Sequence, residues 1–228
     1  APKQCSLHIE QKPTHLPQTH IMSLPLVTVI TPTTPNRKEF TDRAISQFLA
    51  QTYPNKEMIV ISTDAWRIGT DGSREFISNV TPTSIGAKRN FGNDFASGTI
   101  LLSMDSDDIY APDYMLYAVN TIRECNTGIL GAHRFPMYNT NTGDVHMFSN
   151  PGYAAEATLC YIKDAVRFPN VNAGEGTIAL KGKEYSTYHN HYFMSIVHGS
   201  NTCSHKALPL IKKLPRNEAA LILQSFGF

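Results

Sequence analysis

This chain has only 4 Cys and 1 Trp in 228 residues, and its charges nearly cancel, with 20 Lys+Arg against 19 Asp+Glu. The cysteines, Cys5, Cys125, Cys160 and Cys203, show no paired short spacing, which excludes a zinc knuckle and a compact disulfide framework. They read as reduced thiols of a cytoplasmic protein. A formal net charge of +1 supplies no global field to draw the molecule onto nucleic acid or an anionic membrane, so any anion it binds meets a local site. No run approaches the roughly 20 apolar residues of a membrane span. The N-terminal segment carries Lys3, His8, Glu10, Lys12, His15 and His20 in place of an apolar signal core. Internal repeats and low-complexity tracts are absent. What is there is 41% hydrophobic content, enough for a substantial core.

Residues 1–24 hold Pro2, Pro13 and Pro17 without periodicity and read as a flexible leader or linker. Residues 25–228 read as a single domain. Leu26-Val27-Thr28-Val29-Ile30-Thr31 is β-branched and stopped by Pro32, as expected of a strand buried on both faces. From Glu39 to Tyr53 the apolar residues Phe40, Ala44, Ile45, Phe48 and Leu49 fall at helical spacing, and Glu57 to Ser62 reads as a second strand. Strand, helix, strand in so short a span is a βαβ unit with a parallel pair. Ile85 to Ser97 reads as another helix, and Thr99 to Met104 as a third buried strand. In the second half the patterning predicts a helix over 112–125, short strands near 128–135 and 158–162, and helical spacing over 208–223. The class expected is α/β, with a mostly parallel central sheet flanked by helices.

The carboxylate run Asp105-Ser106-Asp107-Asp108 begins where the third strand ends, and open α/β sheets collect ligands at the carboxyl ends of their strands. Asp105 and Asp107, one residue apart, can turn toward one hard cation. The competing reading is a solvated turn in which Asp108 or Asp113 caps the following helix. An EF-hand is excluded, since no Gly stands at the sixth loop position and no Glu at the twelfth. Lys88 and Arg89 lie upstream on the predicted helix. A divalent cation with nearby ammonium and guanidinium groups is the equipment for a diphosphate.

Three ordered blocks carry a resemblance. Leu26 to Thr33, with Asn36-Arg37, Ala44-Ile45 and Gln51-Thr52-Tyr53-Pro54, forms the first. Gly86-Ala87-Lys88-Arg89-Asn90-Phe91-Gly92 with Ala96-Ser97-Gly98 forms the second, and Met104-Asp105-Ser106-Asp107-Asp108-Ile109-Tyr110-Ala111-Pro112 the third. Together they resemble the family-two glycosyltransferases of GT-A fold, including a D-x-D-D signature. The resemblance implies a Rossmann-like nucleotide-sugar-binding half at 25–112 and an acceptor-binding half at 113–228. It implies transfer of a sugar, as a hexosyltransferase does, with inversion, from a nucleotide diphosphate sugar to a hydroxyl acceptor such as a glycan, assisted by Mn2+ or Mg2+.

Carried over by position, the resemblance places Thr31, Pro32 and Thr33 at the nucleotide base, with Arg37, Lys88, Arg89 and Ser106 around the donor. It gives Asp105 to ribose or metal, Asp107 to the metal as first ligand, and His198 to the metal as third ligand. The resemblance implies a UDP-sugar donor; the paired aspartates usual after the second strand are replaced by Ser62 and Thr63, with Asp64 one residue later, a departure that tells against uracil unless Asp64 substitutes through a shifted loop. The general base is expected in a G-E-D-like segment, where this chain has Gly174-Glu175-Gly176. Glu175 is therefore the expected base, or the residue that orients the acceptor. Trp66 either stacks on a base or sugar or packs against the core.

Two other readings stay open. A nucleotidyltransferase also uses strand-end carboxylates, although Thr31 to Arg37 lacks the glycines of a phosphate loop. A non-catalytic nucleotide- or sugar-binding module on the same fold is the second. The chain also reads as one domain of a larger transferase, with no nucleic-acid partner expected.

Overall fold

The structure is a computed structural model and describes residues 2–4, 24–62, 84–199, 201 and 211–228. Thr63, Asp64 and Trp66 lie outside the described residues, as do Cys5 and Cys203. The strands are β1 (Lys3–Gln4), β2 (Val27–Pro32), β3 (Lys56–Ile61), β4 (Ile100–Ser103), β5 (Ile109–Tyr110), β6 (Ile129–Asn139), β7 (Asp144–Ser149), β8 (Cys160–Ile162), β9 (Ser186–His189), β10 (Phe193–Val197) and β11 (Ile211–Lys213). The helices are α1 (Lys38–Leu49), α2 (Ile85–Phe95), α3 (Tyr114–Glu124), α4 (Glu175–Ala179) and α5 (Arg216–Ser225).

The sheet runs β1-β9-β6-β8-β4-β2-β3, and β10, β5, β7 and β11 extend it from β6. It is mixed. β2 pairs in parallel with β3 and β4, as the βαβ reading requires. β8 enters antiparallel between β4 and β6.

Strand alternation divides the core into two layers. Val27, Val29, Met58, Val60, Ile100 and Leu102 face a cluster with α1 and α3, while Ile30, Ile59, Ile61 and Leu101 face a second cluster containing Tyr161 and Phe168. Each fully buried aliphatic side chain contributes about 1.5–3 kcal/mol, so these unbroken apolar runs anchor the strands whose ends carry the site. α2 starts at Ser84, whose hydroxyl accepts from Ala87 N, a cap at the N-terminus.

Residues 208–223 do not form one helix as their spacing suggested. Ile211–Lys213 pairs antiparallel with β7, and α5 begins only after Pro215. Proline lacks an N–H and biases the residue before it toward extended backbone, so the helical period starts at Arg216. Asp113 stands at the start of α3, but its carboxylate accepts from Thr52 Oγ1 and caps nothing.

His189, His191 and His198 crowd one short stretch of sequence, but in the fold they separate into two places. His189 and His191 meet with ring centroids 3.9 Å apart and planes tilted by 50°, whereas His198 lies beside Asp107. Burial first, then His191, Arg134 and His133, push the His189 imidazole down to about 4. An imidazole depressed in the fold contributes stability above its unfolded pKa that is lost as pH falls through the folded value. The urea midpoint is therefore expected to fall between about pH 6.5 and pH 4, and His189→Gln to lessen that fall.

Candidate active site

The carboxyl ends of β2 and β4 open into a cavity of about 800 Å3. Of the residues singled out in the sequence, Pro32, Thr33, Arg37, Lys88, Arg89, Asp105, Ser106, Asp107 and Glu175 line it. His198 reaches it through Asp107. Two of the expected residues do not reach the wall. Thr31 is fully buried opposite Val60 inside the β2 ladder, one residue short of the strand end. Ser62 is 2% exposed and follows β3, which is separated from β4 by β2. Asp64 lies outside the described residues.

Helix α1 holds the acidic loop from one side. Arg43 Nη2 donates to the Asp107 carbonyl at 2.8 Å, and Gln47 Nε2 to the Asp108 carbonyl at 3.2 Å. Gln51 follows one turn later and donates to the Ala111 carbonyl at 2.9 Å. Arg43 and Gln47, at i and i+4, share a face of α1, and with Gln51 just past the end of the helix they form a polar stripe that reads the backbone of 107–111. The sequence reading missed this stripe, although its spacing was visible.

Asp107 Oδ2 accepts from Arg37 Nη1 at 2.9 Å and lies 3.2 Å from His198 Nε2. The His198 ring stacks on Phe40 at 5.0 Å, which fixes its plane. Asp108 also lines the cavity but is buried, its Oδ1 accepting from Ile196 N at 2.9 Å. Burial, then the neighbouring Asp107 and Asp105 charges, push its carboxyl well above the usual range.

Arg89 is 1% exposed and bridges two carboxylates, with Nη2 2.8 Å from Asp105 Oδ1 and Nε 3.1 Å from Glu175 Oε1. Burial works against its charge, but Asp105 and Glu175 outweigh it and hold the guanidinium protonated. Its Nη1 has no hydrogen-bond partner among the described residues. Burial raises both carboxyls, Asp105 and Glu175, against the lowering effect of Arg89. Lys88 Nζ donates to the Thr33 carbonyl at 2.6 Å, and burial, then Arg37, lower its pKa.

Glu175 opens α4 after Gly174, whose φ of 69° is a conformation glycine adopts without the Cβ penalty. α4 is in turn positioned by α2. A Cβ at Gly86 would lie 1.9 Å from the Pro169 carbonyl oxygen, so the helix start packs directly on the backbone leading into Glu175. Gly86→Ala is expected to cost about 1–3 kcal/mol by overpacking, read as a lowered urea midpoint.

The same cavity holds a carboxylate the sequence reading did not single out. Glu156 lines it from the 3-10 turn Glu156–Thr158. No periodicity marks a single turn, so nothing local distinguished it from a surface glutamate.

Among the described residues, no group of three or more His, Cys, Asp or Glu side chains is arranged to hold a metal ion by itself. Asp107 with His198 does fit a cation shared with a ligand. Two donors at right angles, each about 2.1 Å from a cation, lie about 3 Å apart, close to the separation seen.

Sequence and structure comparisons agree with this layout. The profile of Glycosyl transferase family 2 matches residues 28–180. An uncharacterized glycosyltransferase of Haemophilus influenzae is 33% identical over 112 residues, covering 43% of each chain. The chain thus spans less than half the length of that relative. S. aureus TarS 1-349 in complex with UDP-GlcNAc superposes with a TM-score of 0.59 at 17% identity, over 80% of this chain and 62% of that one. The mannosyltransferase PcManGT from Pyrobaculum calidifontis, in complex with GDP-Man and Mn2+, gives 0.55 at 16% identity, over 78% and 58%. At these identities the two structures establish the α/β GT-A fold with its mixed central sheet. The profile match covers both the β2–β4 unit and the Glu175 segment, and the chain belongs to glycosyl transferase family 2.

Proposed function

We propose that this chain binds a nucleotide diphosphate sugar, with a UDP-sugar as the expected donor, and transfers the sugar with inversion to a hydroxyl acceptor such as a glycan. The observation that carries this reading is the juxtaposition of Asp105 and Asp107 with Arg37, Lys88 and Arg89 around one cavity. The unpartnered Nη1 of Arg89 suits a donor oxygen, since a buried unpaired donor is costly unless a ligand meets it. Asp107 and His198 would hold a divalent cation, Mn2+ or Mg2+, with Asp105 beside them at the ribose. Bound there with the donor, the cation would offset charge on the departing diphosphate.

Arg37 now pairs with Asp107 and lies on the cavity wall, where its fork suits phosphate oxygens. Pro32 and Thr33 at the end of β2 would border the nucleoside, with Ser106 opposite them. The acceptor hydroxyl loses its proton to a wall carboxylate as its oxygen attacks the anomeric carbon. Among the described residues, Glu175 and Glu156 are the two glutamates of the wall.

The test is calorimetric titration of UDP and of GDP, each with Mn2+ and with excess chelator. Metal-dependent binding of one nucleotide is expected and would name the donor class. Binding of neither would overturn the donor site and favour a non-catalytic module. No helix among the described residues is long and apolar enough to cross a membrane.

A further inference from the structure

Resting on the transfer reaction proposed above, we infer that Glu156 is the general base of this chain and that Glu175 positions Arg89. The two wall glutamates differ in what holds them. Glu175 is 4% exposed, and its Oε1 is tied to the guanidinium of Arg89. Taking a proton there would weaken an ion pair inside the protein and leave the buried cation half matched. Glu156 is half-buried and held by neutral donors. Its Oε2 accepts from Tyr153 Oη at 2.7 Å, and its Oε1 from Thr177 N at 3.3 Å and Thr177 Oγ1 at 3.4 Å. Oε2, with a single donor, keeps a further lone pair, so the side chain is oriented while still able to accept a proton.

The fold aims Glu156 at the reaction centre. β8 runs antiparallel to β4 with Leu102 opposite Cys160, and continuing that register brings 156–158 alongside 104–106. Tyr110 fastens the two segments, its hydroxyl accepting from Asp105 N at 2.8 Å and donating to the Ala157 carbonyl at 2.9 Å. The charge of Glu156 is felt at both Asp105 and Glu175, where it works to raise their carboxyls.

Gly176 completes the case. A Cβ on residue 176 would lie 2.3 Å from Glu156 Cγ, so the glutamate stem occupies the space any side chain at 176 would need. One carboxylate stands there, and it reaches in from the other segment. In the step, the acceptor O–H bond breaks with its proton passing to the Glu156 carboxylate. The oxygen forms its bond to the anomeric carbon, and the electron pair of the breaking C–O bond leaves on the diphosphate.

The experiment follows release of UDP from UDP-GlcNAc and of GDP from GDP-mannose with Mn2+, water serving as acceptor, in the parent chain and in Glu156→Gln and Glu175→Gln. Nucleotide affinity is titrated in parallel. Glu156→Gln is expected to keep its nucleotide affinity and lose about 10²–10⁴-fold in kcat, along with the acid limb of the pH–rate profile. Glu175→Gln is expected to keep that limb while binding donor less tightly. The double variant Glu156→Gly, Gly176→Asp moves a carboxylate into the vacated space and should recover about tenfold or more over Glu156→Gly alone.

Turnover within about threefold of the parent in Glu156→Gln, or an acid limb lost only in Glu175→Gln, overturns the assignment. So does a parent chain that binds a nucleotide with Mn2+ yet releases none from either sugar nucleotide. A parent chain that binds no nucleotide overturns instead the donor site beneath it.

Discussion

Asp107→Ala is expected to remove the metal dependence of nucleotide binding, weakening affinity in Mn2+ by about 100-fold or more, since a metal at a phosphoryl oxygen supplies several kcal/mol of charge stabilisation. The residual binding should be the same with chelator as with Mn2+, and turnover should disappear with the metal effect. The reason is local. Asp107 Oδ2 is the carboxylate oxygen nearest His198 Nε2, at 3.2 Å, and it also balances Arg37 at 2.9 Å. In the parent chain, a cation taking Asp107 competes with Arg37 unless a diphosphate accepts the displaced guanidinium. Metal alone should consequently bind weakly, and metal with nucleotide much more tightly. Titrations of Mn2+ into each protein, with and without UDP or GDP, read both effects. Undiminished metal dependence in Asp107→Ala would move the cation to other residues.

Arg89→Met should be the most damaging single change to stability. Removing one partner of a buried ion pair costs about 3–5 kcal/mol, and Arg89, 1% exposed, serves two carboxylates at 2.8 and 3.1 Å. Burial already raises the Asp105 and Glu175 carboxyls, and loss of the guanidinium raises them further. Acids whose folded pKa exceeds the unfolded value contribute stability at low pH that is lost as pH rises through the folded pKa. The deficit of the variant should therefore shrink on acidification. Urea midpoints of parent and variant at neutral and mildly acidic pH measure it. A deficit independent of pH would mean that the loss lies in packing, such as the Arg89 contact with the Phe168 ring.

The first half was legible because its physics is local. β2, β3 and β4 are short apolar runs, β2 ended by Pro32 and β4 running into the acidic loop, and each formed within a residue or two of its expected place. Asp105 and Asp107 could be placed at a strand end for the same reason. The second half hid more. β7 and β9 carry Asp, His, Ser and Thr among few apolar residues, β10 is a run of only five residues, and their pairing with β6 is set by tertiary register. Glu156 was invisible because its position depends on β8 running against β4, a relation no spacing encodes. Arg43 and Gln47 were readable in principle from their helical interval, yet apolar periodicity drew attention to the opposite face of α1.

The long strand β6 carries a mechanical consequence. It pairs with β8 and β9 over its first part and with β7 and β10 over its last, so one hydrogen-bonded ladder runs from β3 to β11. Phe135 and Met137 of this strand face the same cavity as Arg37 and Lys88. Hinge rotation between the donor wall and the far wall would have to tear that ladder. The two walls consequently act as the jaws of a fixed gauge, and the width they set is a property of the sheet. On the transfer reaction proposed above, altering which acceptor fits would call for resizing side chains such as Phe135, Met137 and Phe148 on those jaws.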